Sequence, residues 1–148
     1  MVNEWGKVTW FLLHGIAQKC KNENYSLYKE QIFTVIIKII SNLPCPDCRQ
    51  HAIHFFRKKN ATMYPTKDSL IELIFNFHNL VNKRIGKPIY PKQNLSHYNK
   101  LNFSKTVKLF EHIYTRNSYS RLLGDQMTRR FVLSDIKKVL LDEKIFQQ

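Results

Sequence analysis

Cys45, Cys48, His51 and His54 follow one another as C-x2-C-x2-H-x2-H, with Pro44 and Pro46 ahead of the two cysteines. Three chemistries start from such a run: a structural disulfide, half or all of a zinc site, or a dithiol that carries electrons. Pro46 suits the first position of a helix, which places the pair at a helix start. There the unpaired N–H groups and the helix dipole stabilise a thiolate, and a two-residue spacing lets the sulfurs bond across one turn. Asp47 opposes a thiolate and Arg49 favours it. Zinc accepts the same ligand types. On one short helix, however, residues three apart progress around the axis, and four of them do not readily close a tetrahedron. A basic helical zinc or nucleic-acid-binding module using Cys45, Cys48, His51 and His54 is therefore the alternative to a redox dithiol.

Two more constellations stand out. Gly6, Trp10 and His14 are four apart and share a helix face. A glycine, a flat aromatic and a hydrogen-bonding ring there would form a slot for a planar ligand, although Trp10 and His14 also suit an ordinary core. In HNLVNKRIGKP, residues 78–88, His78 and Asn82 share a face, as do Asn79 and Lys83. Polar groups beyond the apolar Leu73, Ile74 and Phe77 need water or a polar ligand. Lys83, Arg84 and Lys87 either complement the helix end or hold a pyrophosphate.

The elements that carry these residues read as helices. Only four glycines occur in 148 residues, few for a domain rich in tight turns. Apolar periodicity predicts helices from 6 to about 20 and from a Ser26 cap to about Ser41. A third runs from the CxxC to about Lys58, and a fourth from Thr66 to Gly86. Weaker patterns predict helices over 103–116 and over 134–146, the latter capped by Ser134. The fold class is all-α: a four-helix bundle over 1–90, with additional C-terminal helices over 91–148 packed on the bundle or a partner. The charge of 24 − 11 = +13 favours anionic partners in general, but no dense basic run marks a nucleic-acid arm, and nucleic acid is not the expected partner. The N-terminus has no signal-peptide pattern, and the longest apolar run, IFTVIIKII, is far shorter than the ~20 residues of a membrane span. A location without secretory address, and no membrane insertion, is expected. Three cysteines are too few for a disulfide scaffold.

GKVTWFLLH (6–14), LPCPDC (43–48) and HNLVNKRIGKPIY (78–90), in that order, resemble the Erv/ALR family of FAD-dependent sulfhydryl oxidases. The likeness covers residues 5 to about 90, and the compact build looks most like versions encoded by large DNA viruses, which implies host cytoplasm or virion. The resemblance implies a helical bundle with FAD in its mouth and Cys45–Cys48 as the catalytic disulfide. Cys45 would be the sulfur that substrate thiolates attack, and Cys48 would lie nearest the flavin. Trp10 and His14 would contact the flavin, with Gly6 and Lys7 nearby. His78, Asn79, Val81 and Asn82 would hold the ring and adenosine portions, Lys87 would approach the phosphates or adenine, and Tyr90 would pack beside them. No metal is implied. Electrons from protein dithiols, or from a thioredoxin-like carrier, would pass to dioxygen and give hydrogen peroxide.

The chain also departs from the family pattern. Many members carry a second, shuttle cysteine pair, whereas only Cys20 is left over here, and it reads as a small core residue. The family's cysteine-bridged segment after the HN motif is missing. Tyr98, Phe103, Phe110 and Tyr114 in the last third are candidates to cover the flavin edge, bind a partner or build a dimer. A homodimer is expected by analogy.

Overall fold

A computed structural model describes residues 4–116 and 123–148. Residues 1–3 and 117–122, which fall within the two segments expected above, lie outside the described residues. Among the described residues the chain forms α1 (Glu4–Lys19), α2 (Tyr25–Ser41), α3 (Pro46–Phe56), α4 (Lys67–Arg84), α5 (Phe103–Tyr114) and α6 (Leu123–Leu140). Short 3-10 segments occupy Asn22–Asn24, Ala61–Met63 and Lys92–Lys100. No strand occurs among the described residues, only an isolated antiparallel bridge between Cys20 and Phe146. The fold is all-α, as the periodicity implies.

Helix α1 lies at the centre. Val8, Leu12, Leu13 and Ile16 are buried, and from Leu12 to Cys20 every residue is buried. Helix α4 packs on α1 from one side and α5 from another, while α2 packs against α3 and α6. Gly15 permits the close approach of α5, because an added Cβ would meet the Phe103 ring at 3.3 Å. Phe103 in turn packs against Phe146 of the C-terminal tail, ring centroids 4.9 Å apart. One continuous apolar core joins residues of all six helices, from Leu12 and Ile36 to Phe77, Phe110 and Leu140.

Helix α4 shows how local sequence sets an element's limits. Thr66 and Ser69 cap each other reciprocally at its start. At its end Gly86 takes φ 75°, the left-handed region that glycine enters without penalty. The Lys87 N–H donates to the Asn82 carbonyl at 2.8 Å and the Gly86 N–H to the Lys83 carbonyl at 3.4 Å, a Schellman ending that reverses the chain after the helix.

The structure corrects three boundaries. Asn24, not Ser26, precedes α2, because the turn Asn22–Asn24 runs straight into the helix. Helix α3 stops at Phe56, two residues before Lys58. The last helix spans Leu123–Leu140 rather than 134–146, and Ser134 lies inside it. Ile145, which fitted the helical stripe, is buried by a different route. The tail leaves the helix and straps onto the end of α1, with Lys21 N–H donating to the Ile145 carbonyl and Gln147 N–H to the Lys19 carbonyl, both at 2.8 Å.

A buried cation ties α6 to the end of α5. Arg129, only 4% exposed, donates from Nε to the Tyr114 carbonyl at 3.0 Å and from Nη2 to the Arg116 carbonyl at 3.5 Å. These are the orphan acceptors at the C-terminal end of α5, where the helix dipole favours positive charge. No described helix is long and apolar enough to cross a membrane.

Candidate active site

The cysteine pair opens α3. Cys45 is the N-cap, Pro46 the first helical residue, and the Cys45 Sγ accepts the Cys48 N–H at 3.2 Å. The two sulfurs are bonded, with Cα atoms 5.2 Å apart. Both residues are half-buried. Negative charge on the Cys45 sulfur would therefore meet a backbone donor and the positive end of a helix. Cys20, by contrast, is free and buried, and burial pushes its thiol up to about 11.

Charged groups flank the pair. Asp47 accepts from Arg84 Nη1 of α4 at 3.2 Å, and His51 Nε2 lies 3.6 Å from its other oxygen. His54 is exposed. Among the described residues no group of three or more histidine, cysteine or acidic side chains gathers to hold a metal ion.

A cavity of about 650 Å³ lies against α1, α3 and α4. Cys48 and His51 line it from α3. Gly6, Lys7 and Trp10 line it from α1, and His78 and Val81 from α4, with Lys87 beyond the helix end. Those seven of the sequence-selected residues, Cys48 among them and His51 aside, meet at one surface. Cys45, His14, Asn79, Asn82 and Tyr90 do not line it.

Four of these five stand behind the wall and hold it. His14, 1% exposed, shares a 2.8 Å hydrogen bond between its Nε2 and His78 Nδ1. Trp10 stacks on His78 at 4.0 Å and 11°. His14 stacks on Tyr98 at 4.4 Å and 13°. Burial, then the neighbouring imidazole, lowers His14 to about 3. Burial, then Lys87, lowers His78 to about 4. Both rings are thus neutral at neutral pH, one donating and the other accepting. Asn79 is spent on the backbone: Tyr90 N–H donates to its Oδ1 at 2.7 Å, and its Nδ2 donates to the Tyr90 carbonyl at 3.3 Å. This ties the chain after Gly86 back onto α4 and sets the Tyr90 ring against His78, centroids 5.0 Å apart. Asn82 is buried and its carbonyl fixes Lys87.

Phe77, Arg84, Trp5 and His51 also line the cavity; sequence reading offered Arg84 for a pyrophosphate and His51 only for zinc, and gave Phe77 and Trp5 no role there. Arg84 belonged to the noted cation cluster, and Phe77 carried only a core signal. Tyr98 was named with Phe103, Phe110 and Tyr114 as a candidate to cover the flavin edge, bind a partner or build a dimer, and of these four it alone lines the cavity. Its place in the wall comes from the segment Lys92–Lys100, which Lys19 anchors by donating to the Asn99 carbonyl at 2.5 Å.

Comparisons with known proteins identify the family. The Erv1/Alr family model matches residues 7–104. The chain belongs to the Erv1/Alr family. The match runs beyond Tyr90, where the motif resemblance ended, and takes in Tyr98. Among relatives, a protein named putative FAD-linked sulfhydryl oxidase from invertebrate iridescent virus 3 is 35% identical over 86 residues, 57% of each chain. A FAD-linked sulfhydryl oxidase of African swine fever virus is 30% identical over 104 residues, 70% of this chain and 87% of its own. A rice FAD-linked sulfhydryl oxidase is 32% identical over 94 residues, 63% of this chain and 47% of its own. This Erv1/Alr chain thus spans about half the length of the iridovirus and rice relatives. No solved structure matches it at a significant level.

Proposed function

We propose that this Erv1/Alr protein is a flavin-dependent thiol oxidase that makes disulfides in protein dithiols and passes the electrons to dioxygen, giving hydrogen peroxide. One observation carries the reading: a disulfide at a helix start, with Cys48 opening into a cavity of about 650 Å³ walled by flat rings. That volume falls within the range of about 300–1,000 Å³ usual for small-molecule sites. The donor set suits FAD. Trp10, His78 and Val81 offer flat or apolar surface, with Gly6 beside them, while Lys7, Arg84 and Lys87 bring positive charge for a diphosphate. His14, Asn79, Asn82 and Tyr90 would hold the adenosine and ring contacts indirectly, by fixing that wall. Bound there, FAD supplies a two-electron acceptor that dioxygen can reoxidise.

The chain's own residues handle the thiols. A substrate thiolate attacks Cys45, whose sulfur is polarised by the Cys48 N–H, and Cys48 leaves as a thiolate facing the cavity. A second substrate thiol resolves the mixed disulfide at Cys45 and leaves the enzyme pair reduced. The neutral His14–His78 pair and the rings around it exclude water from the cavity wall. Substrates are protein dithiols or a thioredoxin-like carrier, since Cys20 is buried and cannot shuttle electrons to Cys45. The viral relatives support a cytoplasmic or virion setting, and family resemblance a homodimer, which sedimentation would test.

Purified protein is expected to be yellow and to consume oxygen when given dithiothreitol. Colourless protein that gains no flavin on reconstitution overturns the reading.

A further inference from the structure

The rim of the cavity holds a charged cluster that the steps above leave unused. His51 lies three residues after Cys48 on α3, hence about one turn away on the same face, and both line the same cavity. Its Nε2 sits 3.6 Å from Asp47 Oδ1, and Asp47 is itself held by Arg84 of α4 at 3.2 Å. An imidazole one helical turn from Cys48 on the same cavity, close to a carboxylate that is anchored from a second helix, is placed to act as a base with a charged group behind it. Asp47 carries negative charge toward the imidazole, while Lys7, Arg84 and Lys87 supply the opposing positive charge from α1, α4 and the loop beyond.

We propose that His51 holds the proton released in thiol exchange and, as imidazolium, stabilises the Cys48 thiolate. The proposal rests on the oxidase reading and adds a residue to it. The balance is as follows. A substrate dithiol gives up two electrons and two protons as its sulfur–sulfur bond forms and the Cys45–Cys48 bond breaks. Cys45 emerges as a thiol with one proton, Cys48 as a thiolate, and the second proton resides on His51.

The test reads the thiolate directly, without turnover. In the chain carrying Cys45→Ser, Cys48 is the reactive sulfur, because Cys20 is buried with its thiol at about 11. The rate of alkylation by iodoacetamide is followed against pH by intact mass. Adding His51→Gln is expected to move the midpoint upward by about one pH unit, the effect of losing a nearby opposite charge. His51→Lys is expected to restore the lower midpoint, and His54→Gln, on the exposed side of the same helix, to leave it unchanged. The side chain of His51 is 51% exposed, so these variants keep the fold. Coincident profiles for the parent and His51→Gln chains, or no restoration by lysine, overturn the proposal. Oxygen consumption by chains with Cys45 intact separates the two failures: an active oxidase with an unmoved midpoint sinks only the role of His51, whereas no oxygen uptake from any chain sinks the oxidase reading.

Discussion

The two sides of the cavity are built on opposite principles. The cysteine side is local, charged and partly wet: Cys45, Asp47, Cys48 and His51 lie within seven residues, and Asp47 is 75% exposed. The histidine side is assembled from distant segments, buried and neutral: His14 and His78 meet across 64 residues, and Tyr90 and Tyr98 close over them. The difference teaches where each kind of energy belongs. Thiol exchange needs solvent access and charge, which a helix start provides cheaply. Holding a flat ligand needs rigid, dry walls, which only packing supplies.

Substitutions on the two sides should therefore separate activity from stability. The largest effect belongs to the cysteine side. Cys48→Ser is expected to reduce dithiol-driven oxygen consumption to background while leaving the melting temperature nearly unchanged. Turnover that survives would remove the disulfide from the mechanism. On the histidine side, Phe77→Ala should cost about 3–5 kcal/mol by urea unfolding, because Phe77 is 4% exposed and packs on Trp10, Phe55 and Phe56. A loss below about 1 kcal/mol would mean that this wall is soft and the contrast between the sides is false.

Acid should also act on the histidine side first. Both rings are held below 6.5 in the folded state, to about 3 and about 4, so the unfolded chain binds more protons between 6.5 and those values. Stability is full above pH 6.5 and falls as pH drops through that window, by on the order of 2 kcal/mol per ring at pH 5. A melting temperature flat from pH 7 to pH 4.5 would contradict the neutral pair. Asn79→Ala should cost about 1–3 kcal/mol by releasing the Tyr90 backbone groups. It should also raise flavin loss on dialysis, which absorbance checks. The smallest effect returns to the cysteine side: Arg84→Ala breaks an ion pair to an exposed carboxylate and should change stability by less than about 1 kcal/mol.

Much of this was legible in the chain itself. Sequence pattern placed the first five helices to within about two residues because their apolar residues face one core, and Thr66 and Gly86 marked the limits of α4 because capping and positive φ are local demands. The last helix was misplaced because Ile145 fits a helical stripe and a tail strap equally well, and only the hydrogen bonds to the end of α1 distinguish them. At the candidate site, Cys48, Trp10 and His78 were picked by spacing. Phe77 was not, and Tyr98 was named only as one of four aromatics with several possible roles, since an aromatic residue carries the same signal in a core as in a cavity wall.

The amino-acid sequence by itself determined the helical class, the placing of the cysteine pair at a helix start and the family motifs, because caps, turns and residue spacing act over neighbouring residues. Only the tertiary structure decided which rings face the cavity, that His14 and His78 share one proton, and that Asp47 links His51 to Arg84. Those depend on burial and on contacts between segments far apart in the chain, which no local pattern encodes.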